Sequence, residues 1–144
     1  MNWERTPYRI TDDPEAVDLA VVHAFLASSY WARGVSRETI ARSIAHSLPF
    51  SLFLGERQVG FARAVTDRAT FAYLADVFVI EEHRTRGLGA WLVATVLAHP
   101  ELQGLRRWLL ATRDAHALYR RFGFTPVADP STLLTRHDPD IYTR

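Results

Sequence analysis

Arg84-Thr85-Arg86-Gly87-Leu88-Gly89-Ala90 follows a run with the pattern of a buried strand, Phe71 to Ile80, and opens a helical run, Leu88 to Ala98. A glycine-rich turn between strand and helix leaves backbone N–H groups without intrahelical acceptors. Those groups and the positive end of the helix dipole make a site for phosphate oxygens. Arg84 and Arg86 add fixed positive charge to the same turn. The stretch predicts a sheet-and-helix fold that binds a phosphorylated ligand at this junction.

The rest of the composition narrows the classes. A chain of 144 residues is expected to form a single domain over 1–144, and 48% hydrophobic residues supply one core. The formal net charge of +1 argues against a nucleic-acid binder. All 17 basic residues are arginine, and the chain lacks lysine. Arginine suits bidentate phosphate contacts, but only Arg84 and Arg86 sit where that matters; elsewhere the bias reads as genomic composition. With no cysteine, disulfides, thiolate nucleophiles and zinc–sulfur sites are excluded. No signal-peptide pattern and no apolar stretch approaching ~18 residues is visible, so a cytoplasmic protein with no membrane partner is the expectation.

Working outward, Tyr8–Thr11 reads as a strand. Asp12 or Asp13 is expected to cap a helix with Pro14 in its first turn and an apolar body from Ala16 to Leu26. Ser36 is expected to cap a second helix buried through Ile40, Ile44 and Leu48 and ended by Pro49. Phe50–Leu54, Val59–Thr66 and Phe71–Ile80 read as an antiparallel meander. Gly87 to His99 is an all-round apolar helix stopped by Pro100. Arg107–Ala111 is a strand, and Asp114 is expected to cap a helix, Ala115 to Phe122, that ends at Gly123. Phe124–Val127 and Leu133–Thr135 are expected to add two last strands. The order β-α-α-β-β-β-α-β-α-β-β implies one central sheet with helices on its faces, an α/β (α+β mixed) architecture.

Two nucleotide motifs fail on this turn. A dinucleotide fingerprint needs a third glycine at the position of Leu92, and a P-loop needs the lysine that the chain lacks. Instead, Arg84-x-x-Gly87-x-Gly89 after Asp76-Val77-Phe78-Val79, with Ala115-x-x-Leu118-Tyr119-x-x-x-Gly123-Phe124 downstream, resembles the GNAT family of N-acetyltransferases. The order of elements matches as well, so the resemblance covers nearly the whole chain.

That resemblance implies a mostly antiparallel sheet splayed between its fourth and fifth strands, Phe71–Ile80 and Arg107–Ala111. It implies transfer of an acetyl group from acetyl-CoA to an amine, by direct attack in a ternary complex. The backbone N–H groups of Thr85, Arg86, Gly87, Leu88, Gly89 and Ala90 would hold the pyrophosphate, beside Arg84. Backbone groups of Val77, Phe78 and Val79 would pair with the pantetheine arm. Tyr119 matches the family's tyrosine that protonates the departing thiolate; a phenol of pKa near ~10 is matched to that base. Its helix is expected to bury Ala115, Leu118 and Phe122, leaving Tyr119 on the flank. Asp76 is the general-base candidate, with alternation placing it on one face with Leu74 and Phe78; apolar neighbours there would raise its pKa. A structural aspartate bonded to backbone is the competing reading. Two positions depart from the family's pattern: Thr112 stands where asparagine is frequent and can still offer a hydroxyl to the pantetheine or a water, and Glu81 stands where proline is frequent.

The acceptor side is the least specified. Tyr30-Trp31-Ala32-Arg33-Gly34 reads as a wall of the acceptor site, with Tyr73 as a further contact; aromatic rings there would hold an amine by stacking or cation–π attraction. Packing of those rings on the core is the plainer alternative. The six histidines show no metal-ligand spacing, so no metal is assigned. The acceptor is expected to be a small-molecule or peptide amine, and a homodimer is left open. Two rivals remain: a non-catalytic acyl-CoA sensor on the same scaffold, and a module whose basic turn binds a phosphorylated partner or RNA.

Overall fold

The computed structural model describes residues 1–144. Six strands form one sheet in sequence order: β1 (Asn2–Arg5), β2 (Tyr8–Thr11), β3 (Leu48–Leu54), β4 (Arg57–Thr66), β5 (Phe71–Val79) and β6 (Arg107–Leu109). Four helices accompany it: α1 (Leu19–Ser28), α2 (Arg37–Ala45), α3 (Leu88–Leu97) and α4 (His116–Arg120). Strands β1 to β5 pair antiparallel, and β6 adds parallel to β5. The mixed, mostly antiparallel sheet is the one expected, extended by β1.

Helices cover both faces. On one, Leu88, Leu92, Val93 and Val96 of α3 pack on Ile10, Phe50, Leu52, Ala62 and Leu74. On the other, Val22 and Leu26 of α1 and Ile40 and Ile44 of α2 close over Phe61 and Phe78. Because α3 is apolar nearly all round, it sits against the middle of the sheet, and its N-terminus lands beside the end of β5.

Several boundaries differ from expectation, each for a local reason. Pro49 does not end α2; it lies inside β3, opposite Arg63 of β4. Beta-strand β2 covers β3 only from Ser51 onward, so the missing N–H of Pro49 falls on an uncovered edge. Leu48, which precedes it, is driven to extended backbone and joins the strand instead of the helix face. Asp13 caps only a short turn, Pro14–Ala16, while Asp18 caps α1 by accepting from the Val21 N–H at 3.3 Å. Gln58 of β4 fixes that break by accepting from the Asp18 N–H at 2.7 Å. Asp114 caps nothing: the Thr112 hydroxyl accepts from the Ala115 N–H at 3.1 Å. The two last strands do not form. Phe124–Val127 contains Pro126, which has no N–H to donate, and at the head of Leu133–Thr135 the Leu133 N–H bonds back to Pro130.

The sheet's decisive irregularity is in β5. Phe61 pairs with Phe78 and Arg63 with Ala75, so Asp76 and Val77 together oppose Ala62. This β-bulge puts Asp76 at φ 56°, a left-handed conformation that aspartate tolerates better than most residues. It also reverses the alternation beyond it. Leu74 faces α3 and Phe78 faces α1 and α2, so the single shared face expected for Leu74, Asp76 and Phe78 does not exist.

Gly34, between α1 and α2, has φ +82°, and a Cβ there would lie 2.8 Å from the Tyr142 carbonyl oxygen. Both the backbone strain and the collision oppose a side chain. Gly34→Ala is therefore expected to lose about 1 kcal/mol or more, lowering the melting temperature by at least about 3 °C. A thermal melt within a degree of the parent's would exclude this packing of the C-terminal segment.

Candidate active site

The parallel pairing of β6 stops at Tyr73, opposite Leu109, while β5 runs on to Val79. Beyond Tyr73 the two strands part, and a cleft of about 630 Å³ opens between β5, the turn before α3, and α4. Its walls include Val77 to Val79, Arg84, Thr85, Gly87 to Ala90, and Tyr119.

At the turn, the backbone N–H groups from Thr85 to Ala90 find no acceptor in the protein; the first helical bond runs from the Trp91 N–H to the Gly87 carbonyl. Gly87 adopts φ +73° to begin α3, and nothing lies within 4 Å of where its Cβ or that of Gly89 would stand. The turn is an open row of donors at the positive end of a 10-residue helix. Thr85 at φ 67° extends the left-handed geometry that fans the N–H groups outward. The arginines behave differently from expectation. Arg84 Nε donates to the Val79 carbonyl at 2.9 Å, and Arg86 Nη1 donates to the Tyr8 hydroxyl at 3.2 Å, off the cleft. That hydroxyl is also 2.9 Å from His83 Nδ1, so Arg86 braces the turn against β2 while its backbone faces the opening.

Beta-strand β5 offers the other row of backbone groups. The Phe78 carbonyl lies toward β4, 3.0 Å from where a Cβ on Gly60 would sit, and the Ile80 N–H bonds the Val59 carbonyl. By alternation, Val77 and Val79 present their backbone groups to the cleft. Phe78 does not, which corrects its expected pairing role. Its ring instead stacks on Phe25 at 4.0 Å and 7° and forms part of the floor.

Tyr119 is 8% exposed, the one buried residue of α4, rather than a flank residue. Its ring meets Phe124 edge-on at 5.9 Å. A helix this short cannot bury a full apolar face, and the ring that reaches the core is the one centred over it. The hydroxyl has no partner in the protein and is not among the orphaned buried atoms, and the residue lines the cleft. Burial, with smaller contributions from Tyr30 and Asp114, raises its pKa from 10 to about 12. That corresponds to roughly 3 kcal/mol in favour of the neutral phenol.

The remaining expected residues divide. Trp31 Nε1 donates to Asp76 Oδ1 at 3.1 Å, and Arg63 Nε donates to Asp76 Oδ2 at 2.6 Å. Asp76 is thus surrounded by a guanidinium and an indole N–H, not by apolar groups, and both of its oxygens are engaged. Tyr30 reaches across the opening: its hydroxyl accepts from the Arg113 N–H at 3.1 Å, and the Arg113 guanidinium lies 3.8 Å over its ring. Tyr73 lies before the strands part and does not line the cleft, and Thr112 faces a second, smaller cavity while its hydroxyl accepts from the Ala115 N–H just before α4. Asp114, read from sequence only as a cap, is the one carboxylate lining the cleft. Nothing in the pattern around it distinguished the two roles, since both place an aspartate just before a helix.

No group of three His, Cys, Asp or Glu is clustered to hold a metal, and no helix is long and apolar enough to cross a membrane.

Comparison with known proteins agrees with this geometry. The model of the acetyltransferase (GNAT) family matches residues 19–124. A crystal structure from Xanthomonas campestris, of a candidate acetyltransferase of that family, is 46% identical and superimposes with TM-score 0.93, covering 95% of this chain and 97% of the other. A candidate acetyltransferase of Deinococcus radiodurans, 21% identical, shares the fold with TM-score 0.73, over 99% of this chain and 95% of that one. Among curated proteins, a candidate acetyltransferase of Gibberella zeae is 29% identical over 123 residues, 72% of this chain and 68% of its own.

Gly89 isolates the turn from the fold. Its φ is not in the left-handed range and its surroundings are empty, so Gly89→Ala is expected to keep or slightly raise the melting temperature. The added methyl projects into the space before the turn's N–H groups. With CoA as the phosphorylated probe, it is expected to weaken binding at the turn about tenfold, or about 1.4 kcal/mol, by calorimetry. Unchanged affinity would mean that the turn is not the phosphate site.

Proposed function

The chain belongs to the GNAT acetyltransferase family, and from that premise we propose that it transfers an acetyl group from acetyl-CoA to a primary amine by direct attack. The observation carrying this reading is the convergence on one cleft of the unpaired Thr85–Ala90 amides, the β5 backbone at Val77 with the Val79 N–H, and the unpartnered Tyr119 hydroxyl.

These residues fit CoA in kind and in order. The open space above Gly87 and Gly89 suits a pyrophosphate, with Thr85 to Ala90 donating to it. An extended arm bearing amides matches the edge of β5, where the Val77 backbone groups and the Val79 N–H face the cleft while Arg84 occupies the Val79 carbonyl. When bound, the thioester supplies an activated acetyl group. Arg84 holds the end of β5 through the Val79 carbonyl and keeps that edge in place.

Tyr119 serves the leaving group. A thiol has an unperturbed pKa near ~8.5, so complete proton transfer from a phenol of about 12 is uphill by roughly 5 kcal/mol. The phenol therefore acts first as a hydrogen-bond donor to the sulfur as negative charge develops, and yields its proton only as the thiolate is itself desolvated. Asp114 provides negative charge on the same wall, which favours an acceptor that arrives as an ammonium, and it receives the proton that must leave before the nitrogen attacks. Asp76 we assign to positioning: it ties Trp31 to the bulge and to Arg63. The C–N bond forms as the C–S bond breaks, and the thiol leaves carrying the Tyr119 proton, which solvent restores.

Tyr119→Phe is expected to retain CoA affinity and lose about 100-fold or more in kcat. Because burial keeps the phenol protonated up to about pH 12, the parent should show no alkaline loss of kcat from this group below about pH 11. A descending limb near pH 9–10 that vanishes in Tyr119→Phe would overturn the assignment of a buried, neutral donor. For Asp114→Asn, the acceptor KM is expected to rise about tenfold with CoA binding unchanged, as one lost charge-assisted contact of about 1.5 kcal/mol gives. The measurement is release of CoA thiol, which the cysteine-free chain does not obscure.

A further inference from the structure

A turn that offers its amides to a ligand cannot use them to hold itself. From Thr85 to Ala90 no backbone N–H is bonded. The last closed bond before the turn runs from the Arg84 N–H to the Glu81 carbonyl at 3.1 Å, and the first after it from the Trp91 N–H to the Gly87 carbonyl. Side chains therefore set the shape of the row between them. Leu88 is sunk in the core, Arg84 is tied to the Val79 carbonyl, and Arg86 is tied to the Tyr8 hydroxyl. Thr85 and Gly87, on either side of Arg86, both hold left-handed backbone, which is costly for a β-branched threonine. The middle of the turn is thus the part least able to keep its place unaided.

The far end of the Arg86 tie is buried and already partnered. Tyr8 lies on β2, 78 positions from Arg86 along the chain, and is shielded from solvent together with His83. The two rings meet edge-on at 5.8 Å and 85°. A count of protons gives each contact its direction. A guanidinium only donates, so at 3.2 Å the Tyr8 oxygen accepts from Arg86 Nη1. The one proton of that hydroxyl then goes to His83 Nδ1, 2.9 Å away. Were Nδ1 to carry a proton of its own, the Tyr8 O–H would be left unpaired in a buried place, at the cost of its lost hydration. The arrangement that pairs every group has Nδ1 bare and the ring proton on Nε2.

We propose that His83 and Tyr8 are positioning residues for the phosphate turn. His83 Nδ1 takes the Tyr8 O–H, which turns the oxygen's lone pair toward Arg86, and Arg86 then holds the Thr85–Ala90 amides in the shape that a pyrophosphate meets. This role rests on the CoA reading of the turn. A turn kept in its bound shape before the ligand arrives avoids the ordering cost at binding, so the relay raises CoA affinity although neither His83 nor Tyr8 lines the cleft. It also accounts for the direction of Arg86, which sits among the free amides yet reaches off the cleft to β2.

Calorimetric titration of the full chain with CoA tests the relay. Tyr8→Phe keeps the ring and removes only the oxygen, and Arg86→Met removes the other end of the tie from an exposed position. Each is expected to weaken CoA binding about tenfold, and the double variant no more than either alone, because both remove one contact. His83→Phe keeps a ring without an acceptor and is expected to weaken binding about threefold. His83→Asn, whose side-chain oxygen stands near the place of Nδ1, is expected to return to within about twofold of the parent. Thermal melts fix a titration temperature at which every variant is folded, and a general loss of packing would be neither repaired by asparagine nor cancelled in the double variant. If Tyr8→Phe binds like the parent while Arg86→Met does not, Arg86 touches the phosphates itself and the relay is refuted. Additive losses in the double variant, or His83→Asn binding no better than His83→Phe, overturn it as well. A parent that binds CoA beside variants that bind equally well removes the relay and leaves the CoA reading standing; a parent that does not bind CoA overturns both.

Discussion

The parting of β5 from β6 after Tyr73 is the constraint on which the site depends. A strand can leave one edge unpaired only if the other holds it, and β4 does so along the whole of β5. The bulge at Asp76 lies within the stretch where β6 has gone. It adds twist and turns Phe78 onto the α1–α2 face, where it stacks on Phe25. The same change leaves Val77 and Val79 with backbone groups directed into the opening. The α3 N-terminus arrives beside that opening because an all-apolar helix packs across the centre of the sheet and the turn from β5 is short.

A chain of polar contacts then frames the cleft. Arg63 on β4 holds Asp76, Asp76 holds Trp31, Tyr30 stands edge-on to Trp31, and Arg113 covers Tyr30. The α1–α2 loop is thereby tied to both sides of the splay. In the Arg63–Asp76 pair each group is mostly buried, with side-chain exposures of 18% and 11%, so losing one partner strands the other. This explains an aspartate with both oxygens engaged beside the cleft: it keeps the aromatic wall in register with the bulge.

The contrast between Asp76 and Asp114 shows how much of a site is decided by neighbours. Both are aspartates adjoining the cleft's elements, and the sequence read one as a candidate base and the other as a helix cap. The bulge brought Arg63 and Trp31 onto Asp76, whereas the Thr112 hydroxyl takes the Ala115 N–H and Asp114 lines the cleft. Tyr119 changed in a related way, since its burial altered its acid strength without altering its identity.

By itself the sequence determined what depends on near neighbours along the chain. The glycine turn, the meander from β3 to β5, the caps at Ser36 and Gly123 and the apolar helix after the turn were all legible, because steric and hydrogen-bonding rules act over a few residues. From these and Tyr119 the family was recognisable. Only the tertiary structure decided what depends on contacts between distant segments. A two-residue bulge is set by pairing with β4, so alternation along β5 misplaced Asp76 and Phe78. Strand β1 exists because β2 offers it an edge, and its four residues carry too short a pattern to announce it. Phe124–Val127 and Leu133–Thr135 have strand-like composition, but a strand needs a neighbour, and the folded chain supplies none to either.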